Sequence, residues 1–332
     1  MSVTDATPDF LPPDGVPSQW GGPAPAEPAP AYCYRHPKVA TQIRCRRCGR
    51  PICGQCMIQA PVGFQCPECV KSFARQTRVS EGPYGGAPPA NPWLTSIVIV
   101  AINAAVFLLI FATGGSGSAW SGRLGLIPKG LCLVDGTGSF YPGLSTPETC
   151  QRVGGTLWRA GVAAGAWWQV VTSVFVHVAL MHIAVNCLSL IFIGPPVERI
   201  IGRARFVALY VISGLVGSVA VMWLAPAESL SYGGSGALFG LMGALLVLAW
   251  QRRLDVRTIL FWIGLNIVFT FIGPNISWQA HLGGLAGGAA ITAILVWMPG
   301  GRLRGRNQWL ALAGLVVVCA VLIGLRAMVL AG

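Results

Sequence analysis

Two polar side chains lie near the start of separate apolar segments, where a membrane-spanning chain rarely carries them. Ser235 follows two glycines near the start of one segment, and His281 lies near the start of another. An imidazole in hydrocarbon costs free energy, so such a residue usually faces a partner or a water-filled cavity. A serine and a histidine at matching depth could act as a nucleophile and its general base. The pair predicts nucleophilic chemistry within a membrane.

A second polar pair, His182 and Asn186, lies near the start of an earlier apolar segment. A spacing of four places both side chains on one helical face. Neutral His and Asn side chains donate hydrogen bonds and could stabilise the oxyanion of a tetrahedral intermediate. A polar contact between two helices is an equally good interpretation of this pair alone.

The elements that must hold these residues are helices that cross a membrane. The chain of 332 residues is 54% hydrophobic and 10% charged, and its mean hydropathy is +0.62, as is typical of a polytopic membrane protein. A span needs about 20 apolar residues. Apolar runs of roughly this length lie at about 93–113, 179–200, 206–224, 234–250, 258–273, 278–297 and 309–330. We therefore expect an all-α protein with seven spans, of which the fifth is the shortest.

The distribution of arginine predicts the orientation. One set of short loops is rich in arginine, whereas the loops near 225–233 and 273–277 carry no Lys or Arg. By the positive-inside rule, the arginine-rich loops are cytoplasmic. We expect a multi-pass protein of the cell membrane with a cytoplasmic N-terminus and an extracytoplasmic C-terminus. The net charge of +12 mostly reflects this loop bias, so we do not interpret it as nucleic-acid binding.

This topology places Ser235 and His281 at similar depth, because spans four and six both start at the outer face. Glycines spaced by four follow each residue: Gly236 with Gly240, and Gly284 with Gly288. Small residues at this spacing let two helix backbones approach closely. The spacing is common in membrane proteins, so it supports the pairing without proving it.

Residues before the first span could bind metal. Cysteine and histidine occur there in four pairs, each with two intervening residues: Cys33 and His36, Cys45 and Cys48, Cys53 and Cys56, Cys66 and Cys69. Eight such ligands predict two structural Zn²⁺ sites, one Cys₃His and one Cys₄. Disulfides are the weaker alternative, because the cytoplasm is reducing. Metal would supply most of the folding free energy of so small a module.

Two further cysteines, Cys132 and Cys150, lie in the long loop at about 114–168, which the topology places outside. A disulfide is allowed there, and free thiols are the alternative. Cys187 and Cys319 lie within spans and are expected to be small packing residues.

The membrane residues resemble the motifs of rhomboid intramembrane serine proteases. The run at 233–236 is similar to their GxSG motif, and the run at 280–288 is similar to their AHxGGxxxG motif. His177, His182 and Asn186 resemble the His/Asn pattern of their second helix. The resemblance covers residues 93–300 and implies a six-helix core, to which this chain adds a seventh C-terminal helix.

The resemblance implies a Ser–His dyad with no third acidic residue and no cofactor for catalysis. Ser235 would be the nucleophile and His281 the general base, and Phe239 would stack on the histidine ring. The implied oxyanion hole and its support comprise His182, Asn186, Gly233, Gly234 and the backbone N–H of Ser235. His177 is given no role beyond bracing the external loop. Gln169 departs from the family, which often has Arg there, so the brace of that loop is left open.

The cysteine module resembles a small B-box-like cross-brace finger, in which alternate ligand pairs share a metal. This likeness implies one site from Cys33, His36, Cys53 and Cys56, and another from Cys45, Cys48, Cys66 and Cys69. The module could recruit a cytoplasmic protein partner or only brace the chain.

The expected organisation has five parts. They are a disordered Pro/Ala-rich tail at 1–31, the zinc module at 32–70, a linker at 71–92, the protease core at 93–300 and the seventh helix at 301–332. The expected function is cleavage of transmembrane or juxtamembrane segments of membrane proteins within the lipid bilayer. The alternatives are an inactive rhomboid-like protein that binds membrane clients and a transporter or channel. The last is disfavoured, because Glu198 is the one acidic residue within the proposed spans.

Overall fold

The computed structural model describes residues 31–76, 82–134, 137, 139–141, 143–144, 146–154, 156–273 and 276–332. The chain divides into two compact units, Met1–Arg78 and Val79–Gly332. Nearly all of the predicted tail at 1–31 lies outside the described residues, as do residues 77–81 of the predicted linker.

The first unit consists of short elements around its cysteines. It contains β1 (Ala31–Tyr32), β2 (Ala40–Thr41), β3 (Ile58–Gln59), β4 (Phe64–Gln65) and α1 (Pro67–Gln76). The antiparallel pairs are β1 with β2 and β3 with β4. In the described part of this unit, the buried cluster holds five cysteines and one aliphatic side chain, Ile52. An apolar core this small contributes little to the stability of the unit by itself.

The second unit is built on helices. In chain order its elements are α2 (Trp93–Ala112), α3 (Ala119–Leu124), β5 (Gly130–Val134), α4 (Pro147–Arg152), β6 (Thr156–Ala160), α5 (Gln169–Thr172), α6 (Leu180–Ile201), α7 (Arg203–Leu224), α8 (Ser235–Gln251), α9 (Arg257–Ile272), α10 (Trp278–Trp297) and α11 (Arg304–Ala331).

The long apolar helices confirm the predicted all-α membrane fold. Helices α2, α6, α7, α10 and α11 are long and apolar enough to cross a membrane, and α8 and α9 are shorter apolar helices. Together they coincide with the seven predicted spans. Helix α11 is longer than the predicted seventh span. It starts at Arg304 rather than near 309, because the polar residues before the apolar run are also helical.

The core of this unit lies among α7, α8 and α10. Leu209, Leu241 and Ile291 are fully buried, one on each of these helices. Helix α9 packs differently, since Ile263 and Thr270 are its two buried residues. Helices α7, α8 and α10 therefore form the buried centre of the bundle.

The long connection between α2 and α6 is folded. Strands β5 and β6 pair in antiparallel register, with Cys132 opposite Trp158, and a disulfide joins Cys132 to Cys150 within α4. Of the two interpretations that the sequence allowed, the structure contains the bonded form.

Residues 82–91, in the segment predicted as a linker, pack against the helical bundle. Tyr84 is buried, and its hydroxyl donates to Gln251 Oε1 at the end of α8 over 2.5 Å. Gln308 Nε2 on α11 donates to the Tyr84 carbonyl over 3.0 Å. The Pro/Gly composition of this segment is typical of a linker. Tyr84 nevertheless fixes the segment to the helices.

Candidate active site

Ser235 and His281 meet at the N-terminal ends of α8 and α10. Ser235 is the first residue of α8, and His281 is the fourth residue of α10, which begins after the N-cap Ser277. Their side chains are hydrogen-bonded, with 2.7 Å between His281 Nε2 and Ser235 Oγ. The histidine is buried, whereas the serine is half-exposed. The arrangement therefore combines an accessible hydroxyl with a sheltered base.

Glycines bring the two helices into backbone contact. A Cβ at Gly284 would lie 1.9 Å from the carbonyl oxygen of Gly236, and one at Gly288 would lie 2.0 Å from that of Gly240. Any side chain at these positions would hold α8 and α10 apart. The short distance between Ser235 and His281 thus depends on glycine along this line.

The His281 ring is held on three sides. Phe239, one turn after Ser235, stacks on it with a centroid separation of 4.3 Å and an interplanar angle of 16°. Ser235 lies at Nε2, and Thr270 Oγ1 on α9 lies 2.7 Å from Nδ1. Thr270 was not among the residues expected from the sequence, because a threonine in an apolar span resembles any other small packing residue.

The turn before α8 requires glycine. Gly233 has φ +128°, and a Cβ there would lie 2.7 Å from Cε1 of His182. The residue therefore needs both the left-handed backbone conformation and the absence of a side chain. As a result, His182 lies directly over the residue two before Ser235.

A second histidine, His177, connects α6 to this turn. It is fully buried, and its Nε2 lies 2.9 Å from Asn186 Nδ2 and accepts from the Gly234 N–H over 3.3 Å. Its Nδ1 faces the Phe175 carbonyl at 3.3 Å. The sequence predicts no role for His177 beyond bracing the external loop, although its place in the His/Asn pattern is a signal that identifies it.

Gln169 stands where the rhomboid family often has arginine, and its amide makes its own set of hydrogen bonds. Its side chain is 1% exposed, and its Oε1 accepts from the Ile127 N–H over 3.0 Å. Its Nε2 donates to the carbonyls of Ala160 and Gly122 over 3.0 and 3.4 Å. A neutral amide with three partners therefore braces this connection from within.

Comparisons with known proteins agree with the resemblance. The Rhomboid domain family matches residues 164–298. YdcA of Bacillus subtilis (strain 168) is 32% identical over 146 residues, which are 42% of this chain and 73% of YdcA. RHOMBOID-like protein 2 of Arabidopsis thaliana is 32% identical over 222 residues, 62% of this chain and 68% of that protein. The chain belongs to the rhomboid family.

The rhomboid relatives include a named protease. Rhomboid protease GluP of Bacillus subtilis (strain 168) is 39% identical over 139 residues, which are 40% of this chain and 27% of GluP. The matched Rhomboid domain, residues 164–298, contains α6 to α10 and thus every residue placed around Ser235 and His281. The cysteine module lies outside this domain.

The first unit brings its ligand residues together in two groups of four. One group is Cys33, His36, Cys53 and Cys56, and the other is Cys45, Cys48, Cys66 and Cys69, with the ligand atoms of each group within 4.8 Å of one another. These are the groups that the cross-brace likeness implies. Either group could hold a metal ion.

Distances within the groups fit a tetrahedral metal site. The Sγ atoms of Cys48 and Cys66 are 3.7 Å apart, and His36 Nδ1 lies 3.5 Å from Cys56 Sγ. A Zn–S bond of about 2.3 Å in a tetrahedron puts neighbouring sulfurs about 3.8 Å apart. A disulfide would need about 2.05 Å. The spacing therefore suits ligands around a shared ion.

Proposed function

We propose that this rhomboid is an intramembrane serine endopeptidase that cleaves transmembrane or juxtamembrane segments of membrane proteins. The observation that carries the proposal is the 2.7 Å hydrogen bond between Ser235 Oγ and His281 Nε2, at a half-exposed serine. A hydroxyl bonded to a neutral imidazole is the arrangement that activates a serine nucleophile. Membership of a family with a named protease supports the same function.

In the proposed reaction, Ser235 Oγ attacks the scissile carbonyl while His281 Nε2 takes its proton. His281 then returns this proton to the leaving amine, and water releases the acyl group by the reverse sequence. The reaction needs no cofactor. The nucleophile and the base of this reaction are the two side chains that are already hydrogen-bonded.

The oxyanion that forms on the scissile carbonyl needs hydrogen-bond donors. The first N–H groups of a helix have no intrahelical acceptor, so the N–H of Ser235 at the start of α8 suits this role. Asn186 donates one amide hydrogen towards His177 and retains a second. His182, over Gly233, is the third donor that we assign. The N–H of Gly234 is occupied by His177, so we assign it a structural role.

The second candidate function is that of an inactive rhomboid-like protein that binds membrane clients. A protein of that kind has no need of an accessible serine bonded to a histidine, and both are present here. A transporter or channel is the third class. Glu198, the acidic residue within α6, is fully buried and paired with Arg203 over 3.1 Å, so it does not line a path for ions.

Labelling with a serine-reactive fluorophosphonate separates these functions. We expect the detergent-solubilised wild-type protein to be labelled, because the His281-activated hydroxyl attacks the probe, and we expect Ser235→Ala to remain unlabelled. Ser231→Ala is the matched control, since Ser231 lies in the loop that leads into α8 and pairs with Leu126 through backbone atoms only. An unlabelled wild-type protein would favour the inactive relative.

For the first unit, we propose two structural Zn²⁺ ions, each held by one group of four ligands. Zinc matches the Cys₃His and Cys₄ donor sets and the observed spacing. The ions would stabilise a unit whose buried cluster is mostly the ligands themselves. We also propose that this unit is cytoplasmic, where it could recruit a protein partner, and that the C-terminus is extracytoplasmic in the cell membrane.

Metal analysis of the full chain tests the zinc proposal. We expect two zinc ions per chain, and a chelator should increase proteolysis of the first unit while the membrane helices stay folded. Cys66→Ser should lower the zinc content, whereas Cys187→Ser, a change within α6, should leave it at two. Fewer than two ions in the wild-type chain would contradict the assignment of paired sites.

A further inference from the structure

Thr270 is a buried polar residue on α9, which buries fewer residues than any of the other six long apolar helices. Ile263 and Thr270 are the two buried residues of α9, and Thr270 is 4% exposed. Its large apolar neighbours Phe269, Phe271 and Ile272 are all exposed. Thr270, the one buried polar side chain of α9, is therefore directed into the bundle, where it contacts His281.

The two partners of the Thr270 hydroxyl determine which of its hydrogen bonds is donated and which is accepted. A hydroxyl has one hydrogen and can accept further bonds with its lone pairs. Thr270 Oγ1 donates that hydrogen to the Asn266 carbonyl, one turn earlier, over 2.7 Å. Its bond to His281 Nδ1, also 2.7 Å, must therefore be accepted. It follows that His281 Nδ1 carries the hydrogen.

A neutral imidazole has one N–H, and the other nitrogen accepts. With the hydrogen at Nδ1, the lone pair is at Nε2 and faces Ser235 Oγ. This is the tautomer that can remove the serine proton. Stacking on Phe239 restrains the plane of the ring, but it does not distinguish one nitrogen from the other.

We propose that Thr270 is a positioning residue for the dyad, which orients His281 and holds it in the tautomer with the hydrogen on Nδ1. The inference rests on the proposed serine protease function. During acylation the Ser235 proton passes to Nε2, and Thr270 continues to accept from Nδ1–H of the resulting imidazolium. Thr270 itself neither gains nor loses a proton. Thr270 orients the His281 ring as the carboxylate does in a Ser–His–Asp triad, but it carries no charge.

A threonine in a transmembrane helix commonly bonds to a carbonyl one turn earlier for local reasons alone. That explanation accounts for the bond to Asn266 but not for burial on an exposed helix or for the second bond to His281. The two explanations differ in their consequences, because a purely local role would be independent of the state of His281.

The test compares Thr270→Val with wild type on a transmembrane reporter substrate. Valine keeps the shape and removes the acceptor, so we expect kcat to fall about 10-fold, the value of one good hydrogen bond, with little change in KM. The rate of fluorophosphonate labelling should fall by a similar factor, because it needs the dyad but no protein substrate. Thr270→Ser restores the hydroxyl and should recover most of the lost rate.

Thr292→Val on α10 is the matched control. Thr292 is fully buried, and its hydroxyl has no hydrogen-bond partner among the described residues, so the same substitution there should leave kcat and labelling unchanged. NMR of ¹⁵N-histidine-labelled protein, assigned with His281→Ala, provides a readout besides activity. The Nδ1–H signal of His281 should dominate in wild type and give way to a mixture of tautomers in Thr270→Val.

Wild-type labelling and an unchanged tautomer in Thr270→Val would overturn the proposal while leaving the protease function intact. An equal loss in Thr270→Ser, or in Thr292→Val, would show that packing is responsible and would also overturn it. Labelling that persists in Ser235→Ala would instead overturn the protease function, and the role of Thr270 with it.

Discussion

Ser235→Ala and His281→Ala are each expected to lower cleavage of a single-span reporter substrate by about 10⁴-fold or more. Alanine at 235 removes the attacking oxygen, and alanine at 281 leaves the hydroxyl without a base at Nε2. Residues that act as one unit are not additive in their effects. The double variant should therefore be no slower than either single variant. Turnover is measured in proteoliposomes with the substrate in the same bilayer.

Ser235→Ala should remain folded, because Ser235 is half-buried and Ala is compatible with a helix, whereas His281→Ala should lose some stability because it removes a buried ring. Their melting temperatures in detergent check this, and Ser231→Ala serves again as the control of unchanged activity. Substantial turnover by Ser235→Ala would contradict a serine protease mechanism. A double variant much slower than both singles would contradict the dyad as one functional unit.

Gly284→Ala and Gly288→Ala are expected to lower both the melting temperature and the activity, the latter by about 10²-fold or more. The added Cβ would lie 1.9 or 2.0 Å from a carbonyl oxygen of α8, whereas a carbon and an oxygen in close contact need about 3.3 Å. The obstruction is backbone, so the helices must separate by more than about 1 Å. A displacement of that size in a catalytic site can cost about 10²-fold.

Gly314→Ala is the matched control, because a Cβ at Gly314 in α11 meets nothing within 4 Å. The same substitution in that helix should preserve activity and could raise stability slightly, since alanine favours helix over glycine by about 1 kcal/mol. Thermal unfolding in detergent and the rate of fluorophosphonate labelling measure both effects. Wild-type stability and labelling in Gly284→Ala would contradict the close approach of α8 and α10.

The sequence predicted the helices well because apolar length is a local property. The seven apolar runs coincide with seven helices, and the facing glycines indicated which helices approach. The depth of Ser235 and His281 followed from the alternation of spans. Their roles in catalysis stay predictions until the dyad variants are measured.

Partners between distant segments could not be inferred in the same way. Thr270 contacts His281 only because α9 packs beside α10. The spacing of the two residues in the sequence does not predict this contact. At Gln169 the sequence indicates only the absence of the family's arginine, whereas the three amide contacts of this residue depend on how the connection between α2 and α6 folds. His177 differs, because its place in the His/Asn pattern is visible in the sequence, whereas its contacts with Asn186 and Gly234 are not.

The anchoring of Tyr84 determines where this chain can be truncated or fused to another N-terminal unit. Its contacts with Gln251 and Gln308 make the segment from Gly82 onward part of the helical unit, well before α2 begins at Trp93. A gene fusion or truncation made directly before Trp93 would remove an aromatic side chain and a carbonyl acceptor that the helices use. The junction at which a different N-terminal unit can be joined to the helical unit of this chain therefore lies ahead of Gly82.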